Sequence, residues 1–113
     1  MPKRENLSEN IVAKVLGSMK ERRLILHFLI NKQNDALDVA GIDFLIFKND
    51  GWALPLQVKT CSGKATREDK MQEHLRKHPF VKHLICVRAH LLESNSDQLY
   101  KEVERELKDI LKI

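Results

Sequence analysis

Apolar and polar residues alternate along the chain in distinct ways, and each pattern predicts an element. Ile11, Val12, Val15, Leu16 and Met19 recur at helical spacing and make one stripe. Ser8 reads as the N-cap, with Glu9 in the first turn and Leu7 placed to staple onto Val12. Gly17 interrupts the stripe at a cost of about 1 kcal/mol relative to Ala, so close approach of another backbone is expected there. From Leu24 to Ile30 the chain is apolar almost all round, which periodicity alone assigns to neither helix nor strand. We read it as part of one long helix, roughly residues 8–31. The polar stretch from Asn31 to Asp35 ends that helix, and Ala36 to Val39 is the candidate short first strand. Residues 1–6 read as a flexible polar arm.

Two apolar runs of strand length follow, Gly41 to Phe47 and Trp52 to Thr60, separated by Lys48-Asn49-Asp50-Gly51. Asn, Asp and Gly tolerate the positive φ of tight connections, so a β-hairpin is predicted. Alternation puts Trp52, Leu54, Leu56 and Val58 on one face, and Ala53, Pro55, Gln57 and Lys59 on the other. A three-residue loop Asn49-Asp50-Gly51 sets Asp43 opposite Gln57. A two-residue loop Asp50-Gly51 sets Asp43 opposite Val58, on the other face. Apart from Asp43, both faces of the first run are apolar, as in a central strand. An acid there is costly unless it is paired or bound to a cation.

Cys61 to Ala65 reads as a loop. Thr66 is the expected N-cap of a short charged helix that carries Glu68 and Asp69 in its first turn and runs to about Lys77, where His78-Pro79 stops it. Val81 to Val87 is a buried strand with Leu84 and Cys86 on one face and Ile85 and Val87 on the other. This strand, helix, strand order implies a right-handed parallel crossover. A last helix begins after Ser94 or Ser96, with Leu99, Val103, Leu107, Ile110 and Leu111 along one side. Its mixed-charge side reads as solvated, with a dimer contact as the alternative.

A chain of 113 residues, 42% hydrophobic, builds one domain over residues 1–113 with a single core. Net charge +4 and pI near 9.2 are consistent with a polyanionic partner. Cys61 and Cys86 fit no zinc spacing, and reduced cysteines in a cytoplasmic protein are expected. The longest apolar run is too short to cross a bilayer and the N-terminus has no signal-peptide core, so no membrane association is expected. His74 and His78 lie four apart on a helix, but with no third ligand evident they read as solvated. Trp52 alternates with Leu54 and Leu56, so it reads as core or rim packing rather than as a base-stacking ring.

The order of elements, with Asp43, Gln57 and Lys59 on the central hairpin, resembles the PD-(D/E)XK nuclease superfamily, the fold of Holliday-junction resolvases and many restriction enzymes. Asp43 fills the aspartate position and Gln57-Val58-Lys59 the (D/E)-x-K position, while Gly17-x-x-x-Glu21 looks like the helical glutamate motif. The chain is also similar to the branch with Gln in place of the second acid, which includes certain homing endonucleases. The fold implied is α/β with a restriction-endonuclease-like core: helix, three-strand antiparallel meander with a short first strand, crossover helix, parallel fourth strand and C-terminal helix. Three departures stand out. Ile42 occupies the usual proline position, little sequence remains for a first strand, and Pro55 lies inside the third strand, which implies a bulge or pairing only beyond it.

The resemblance implies a metal-dependent DNA endonuclease, acting as a homodimer with Mg²⁺ or Mn²⁺ and no organic cofactor. The Asp43 carboxylate, the Gln57 amide oxygen and the Val58 backbone carbonyl are the expected ligands, joined by Glu21 directly or through water. Lys59 would orient the water or stabilise charge. Gln57 in place of an acid removes one negative charge, so weaker ion affinity or a single ion is expected. Asp38 is the rival acid and reads as a loop residue. Lys64, Arg67, Lys70, Arg76, Lys77 and Lys82 are the expected phosphate contacts. No base-reading motif is visible, so recognition of backbone or shape is expected. The alternative is a non-catalytic nucleic-acid-binding or assembly module that keeps the fold.

Overall fold

The structure, a computed structural model, describes residues 4–31, 41–61 and 67–113. Its elements are α1 (Arg4–Glu21), β1 (His27–Ile30), β2 (Phe44–Phe47), β3 (Ala53–Cys61), α2 (Arg67–Lys77), β4 (His83–Arg88), α3 (Ala89–Ser94) and α4 (Ser96–Leu111). The strands form one sheet in the order β1-β2-β3-β4. The first three are antiparallel and β4 runs parallel to β3, with α2 in the crossover. This is the expected α/β layout. None of the helices among the described residues is long and apolar enough to cross a membrane.

The expected long helix is corrected. α1 stops at Glu21 because Arg23 adopts φ 63°, and the chain closes with Arg23 N–H donating to Lys20 O and Leu24 N–H to Met19 O. This is a Schellman ending, with Arg23 at the position that glycine usually takes. The apolar run therefore leaves the helix and becomes β1, paired from His27↔Phe47 to Ile30↔Phe44. The first strand is thus His27–Ile30, and the segment 36–39 proposed for it lies outside the described residues, as does Asp38. α1 also begins earlier than expected. Residues 4–6 are helical and Ser8 is inside the helix, buried, with its hydroxyl 2.6 Å from that of Thr60. Ser8 is therefore no N-cap, and Leu7 is exposed rather than stapled. Gly17 has nothing within 4 Å of a Cβ built on it, so no close approach explains it.

The hairpin follows the three-residue loop. Lys48 N–H donates to Trp52 O (2.8 Å), Gly51 has φ 92°, and Phe44 pairs with Leu56. Pro55 needs no bulge. It faces Leu45 at a position between hydrogen-bonded pairs, and β4 begins to pair with β3 only at Leu56, so no ladder donor is lost there.

On one face of the sheet, Phe44, Ile46, Leu56, Val58, Ile85 and Val87 are buried against the α1 stripe and against Leu99, Val103, Leu107 and Leu111 of α4. Leu84 and Gln57, paired across β3 and β4, lie on the opposite face, where α2 covers the sheet. Asn95 caps α4 by accepting from Gln98 N–H. Cys61 and Cys86, expected to be reduced, are joined as a disulfide with Cα atoms 5.5 Å apart. The parallel register makes this possible, because it sets Cys86 beside Lys59, two residues from Cys61 on the same face.

Arg23→Gly should raise the urea midpoint by the equivalent of about 0.5–1 kcal/mol, since glycine adopts positive φ without the Cβ penalty, and Arg23→Val should lower it.

Candidate active site

Asp43 precedes β2 by one residue, and both its main chain and its side chain engage β3. Its N–H donates to Leu56 O (2.9 Å), and its carboxylate Oδ2 accepts from Val58 N–H (2.7 Å). These two contacts straddle Gln57. Asn31 holds Asp43 from the other side, donating its N–H to Asp43 O (2.9 Å) and its side-chain amide to Ile42 O (3.1 Å). In the sequence Asn31 reads only as the polar end of a helix. The pairing of β1 with β2 makes it a clamp.

Gln57 is 9% exposed, and its Oε1 is buried with no hydrogen-bond partner among the described residues. A lone buried amide oxygen costs about 1–3 kcal/mol, so it marks a place where something else is expected to bind. Within a strand, the N–H and C=O of one residue point to the same side. The Val58 carbonyl therefore faces the Asp43 side, beyond the point where the β2 ladder ends. Asp43, Gln57 and Val58 thus carry, on adjoining segments just ahead of β2 and within β3, oxygen donors of the kind a hard divalent cation takes.

Lys59 shares the Gln57 face and lines a cavity of about 220 Å³ together with Thr60, Lys70, Glu73, His74, Lys77 and His78. His74 is not solvated as expected. It is 2% exposed, its Nε2 lies 2.6 Å from Val81 O, and its Nδ1 is buried without a partner among the described residues. A carbonyl only accepts, so Nε2 carries the proton and Nδ1 a lone pair. Burial pushes the His74 pKa down. The Val81 carbonyl opposes this, His78 and Lys59 add to it, and Asp43 acts weakly against it. The His78 ring, centred 5.5 Å from that of His74, packs on Gly41, where a Cβ would meet it at 2.4 Å. With φ 76° as well, Gly41 admits no side chain. Among the described residues no three His, Cys, Asp or Glu side chains cluster for a metal, so the two histidines gain no third such ligand.

Glu21 does not join this group. It is exposed at the end of α1 whose next turn touches the hairpin tip, where Asn49 donates to Arg23 O (3.0 Å). Thr60, one residue past Lys59, instead meets Ser8, about 20 Å away along the helix axis. The acid of α1 next to that contact is Glu9. The expected phosphate contacts divide. Lys70 and Lys77 line the Lys59 cavity, with Lys77 3.7 Å from Glu73, while Lys82 lines a second cavity and Arg76 is exposed on α2. Lys64, the Arg67 side chain and the Thr66 cap lie outside the described residues. Trp52 is corrected from packing to exposed, at 75%.

No protein-family model matches the chain, and no curated protein or solved structure is detectably similar to it.

The depressed His74 pKa has a thermodynamic consequence. The unfolded imidazole, near 6.5, binds a proton that the folded one resists, so His74 favours the fold fully above that value and less as pH falls toward its lowered native pKa. His83, also lowered by burial, has the same sign. Urea midpoints should fall between pH 7 and pH 5, and His74→Gln should flatten that slope.

Proposed function

We propose that the chain is a small endonuclease of the PD-(D/E)XK type that hydrolyses phosphodiester bonds of DNA with the help of a divalent metal ion. The observation that carries this reading is the buried Gln57 Oε1, without a partner among the described residues, bracketed by the two contacts of Asp43 and followed by Lys59 on the same face. Asp43, Gln57 and the Val58 carbonyl would hold the ion, which supplies phosphate polarisation and a bound water of lowered pKa. Mg²⁺ or Mn²⁺ suits such an all-oxygen set.

Within this reading Asp43 carries the negative charge of the site, and its orientation is set by Val58 N–H and by the Asn31 clamp on its backbone. Lys59 stabilises charge developing on the phosphate oxygens as water attacks. Gln57 cannot take a proton from that water. Lys70 and Lys77 line the neighbouring cavity and attract the strand through its phosphates without reading sequence. Glu21 has no part in the chemistry. A homodimer belongs to this reading as well, and the exposed Leu26, Leu29 and Ile30 on and beside the edge strand β1 support it.

A second reading, a non-catalytic nucleic-acid-binding or assembly module, draws support from the lack of a three-residue acidic or histidine cluster among the described residues. A cleavage assay separates the two. Plasmid, branched and single-stranded DNA incubated with Mg²⁺ or Mn²⁺ should be cut, and EDTA should stop the reaction. Asp43→Asn and Lys59→Ala should each slow cutting roughly 100-fold or more, whereas Glu21→Gln should leave it within about twofold. Absence of cutting favours the binding module, and cutting unchanged in the first two variants overturns the roles given to Asp43 and Lys59.

Gln57→Glu should tighten Mn²⁺ binding, read by electron paramagnetic resonance without substrate, by roughly tenfold. The added unit charge sits at ligand distance from a dication.

A further inference from the structure

Among the described residues the two most exposed large apolar side chains are Trp52, at 75%, and Phe80, at 90%. They lie far apart in sequence, Trp52 at the start of the hairpin's return run and Phe80 in the turn before β4. Because β3 and β4 are parallel neighbours whose pairing starts at Leu56↔His83, the residues just ahead of that point are brought side by side. Both residues line one open cavity of about 250 Å³, together with Pro55, Lys48, Lys82 and His83. Among the described residues no acidic side chain lines it.

We propose that this cleft binds an unpaired nucleobase of a single-stranded segment, stacked against Trp52 and Phe80, with the adjoining phosphates held by Lys82 and Lys48. Aromatic faces that are left in water take a base of any identity, because every base has a π-face, and the neighbouring cations supply the backbone term. The charge selects the occupant: an apolar peptide would desolvate Lys82, an exposed cation, whereas a phosphate pairs with it. Lys48 lies 3.4 Å from Asp50, so a phosphate competes with that carboxylate for it. His83 is held below its usual pKa by burial and then by Lys112 and Lys82, so at neutral pH it presents an uncharged ring able to donate and accept hydrogen bonds.

The cleft is separate from the Lys59 cavity; among the described residues none lines both. It therefore adds to the proposed function a preference for DNA that contains unpaired bases, such as a flap, junction or frayed end, and in that respect rests on the nucleic-acid reading above.

The chain has a single tryptophan, so its emission reports this cleft alone. The full chain, in EDTA, would be titrated with four strands of equal length: oligothymidylate, its ribose counterpart, a duplex, and an abasic strand that keeps the phosphates. Oligothymidylate should quench Trp52 to saturation, and the abasic strand and duplex should bind roughly tenfold more weakly with little quenching. The ribose strand tells whether the sugar is discriminated. Phe80→Ala should weaken the single strand roughly tenfold, and Lys82→Ala should lower the salt dependence by about one counterion. Both residues are exposed, so the variants should fold. Absence of quenching, equal quenching by the abasic strand, or unchanged affinity in Phe80→Ala overturns the proposal. So does an emission shift that depends on protein concentration without DNA, which would mark self-association through the rings. The titration needs neither metal nor cleavage. A chain that fails to cut but is quenched loses only the catalytic reading, and one that cuts without quenching loses only this one.

Discussion

The register of the β2–β3 hairpin is the constraint on which the other features depend. It is set by a short loop closed through Lys48 N–H and Trp52 O, with Gly51 at positive φ. Phe44, Ile46, Leu56 and Val58 are then all buried in the layer beneath α1 and α4. A slip of one residue would reverse every side chain. Gln57 and Lys59 would enter that apolar layer, and burying an unpaired lysine there is far costlier than any turn preference. The packing that stabilises the domain and the placement of the candidate site are therefore one requirement.

The two faces of the sheet are built differently. The face beneath α1 and α4 is continuous and apolar, while the α2 face holds Gln57 Oε1 and His74 Nδ1, the two buried side-chain atoms without partners among the described residues. Apolar residues at these positions would remove the cost of leaving such atoms unsatisfied, so their presence on the face that also carries Lys59 and its cavity is where function is to be sought. The Cys61–Cys86 disulfide and the Ser8–Thr60 bond tie this end of β3 to its neighbours. At the opposite end of β3, Trp52 and Phe80 stand in water beside Lys82.

Much of this was legible in the chain. The α1 and α4 stripes, the hairpin loop, the short charged helix after β3 and the buried β4 follow from periodicity and turn chemistry, because each of those segments has one face that must be buried whatever it packs on. The hairpin also put Gln57 and Lys59 on one face, since strand alternation is a local property. Other readings failed where the deciding partner was distant. Leu24 to Ile30 looked helical because nothing local announces that Arg23 adopts a left-handed backbone and that β2 offers an open edge. Ser8 has the chemistry of a cap, but its hydroxyl is engaged by Thr60 from β3.

The sequence by itself determined the helical stripes of α1 and α4, the hairpin, the crossover helix and β4, and which side chains of those segments share a face, because these depend on neighbours within a few positions. Only the tertiary structure decided which faces meet. It set Asp43 astride Gln57 through contacts with Leu56 and Val58, buried His74 against Val81, left Glu21 at the far end of α1, and brought Trp52 beside Phe80. Those outcomes depend on how the parallel crossover aligns β4 with β3 and how α1 lies across the sheet. Such alignment arises from summed long-range packing that no window of the chain contains.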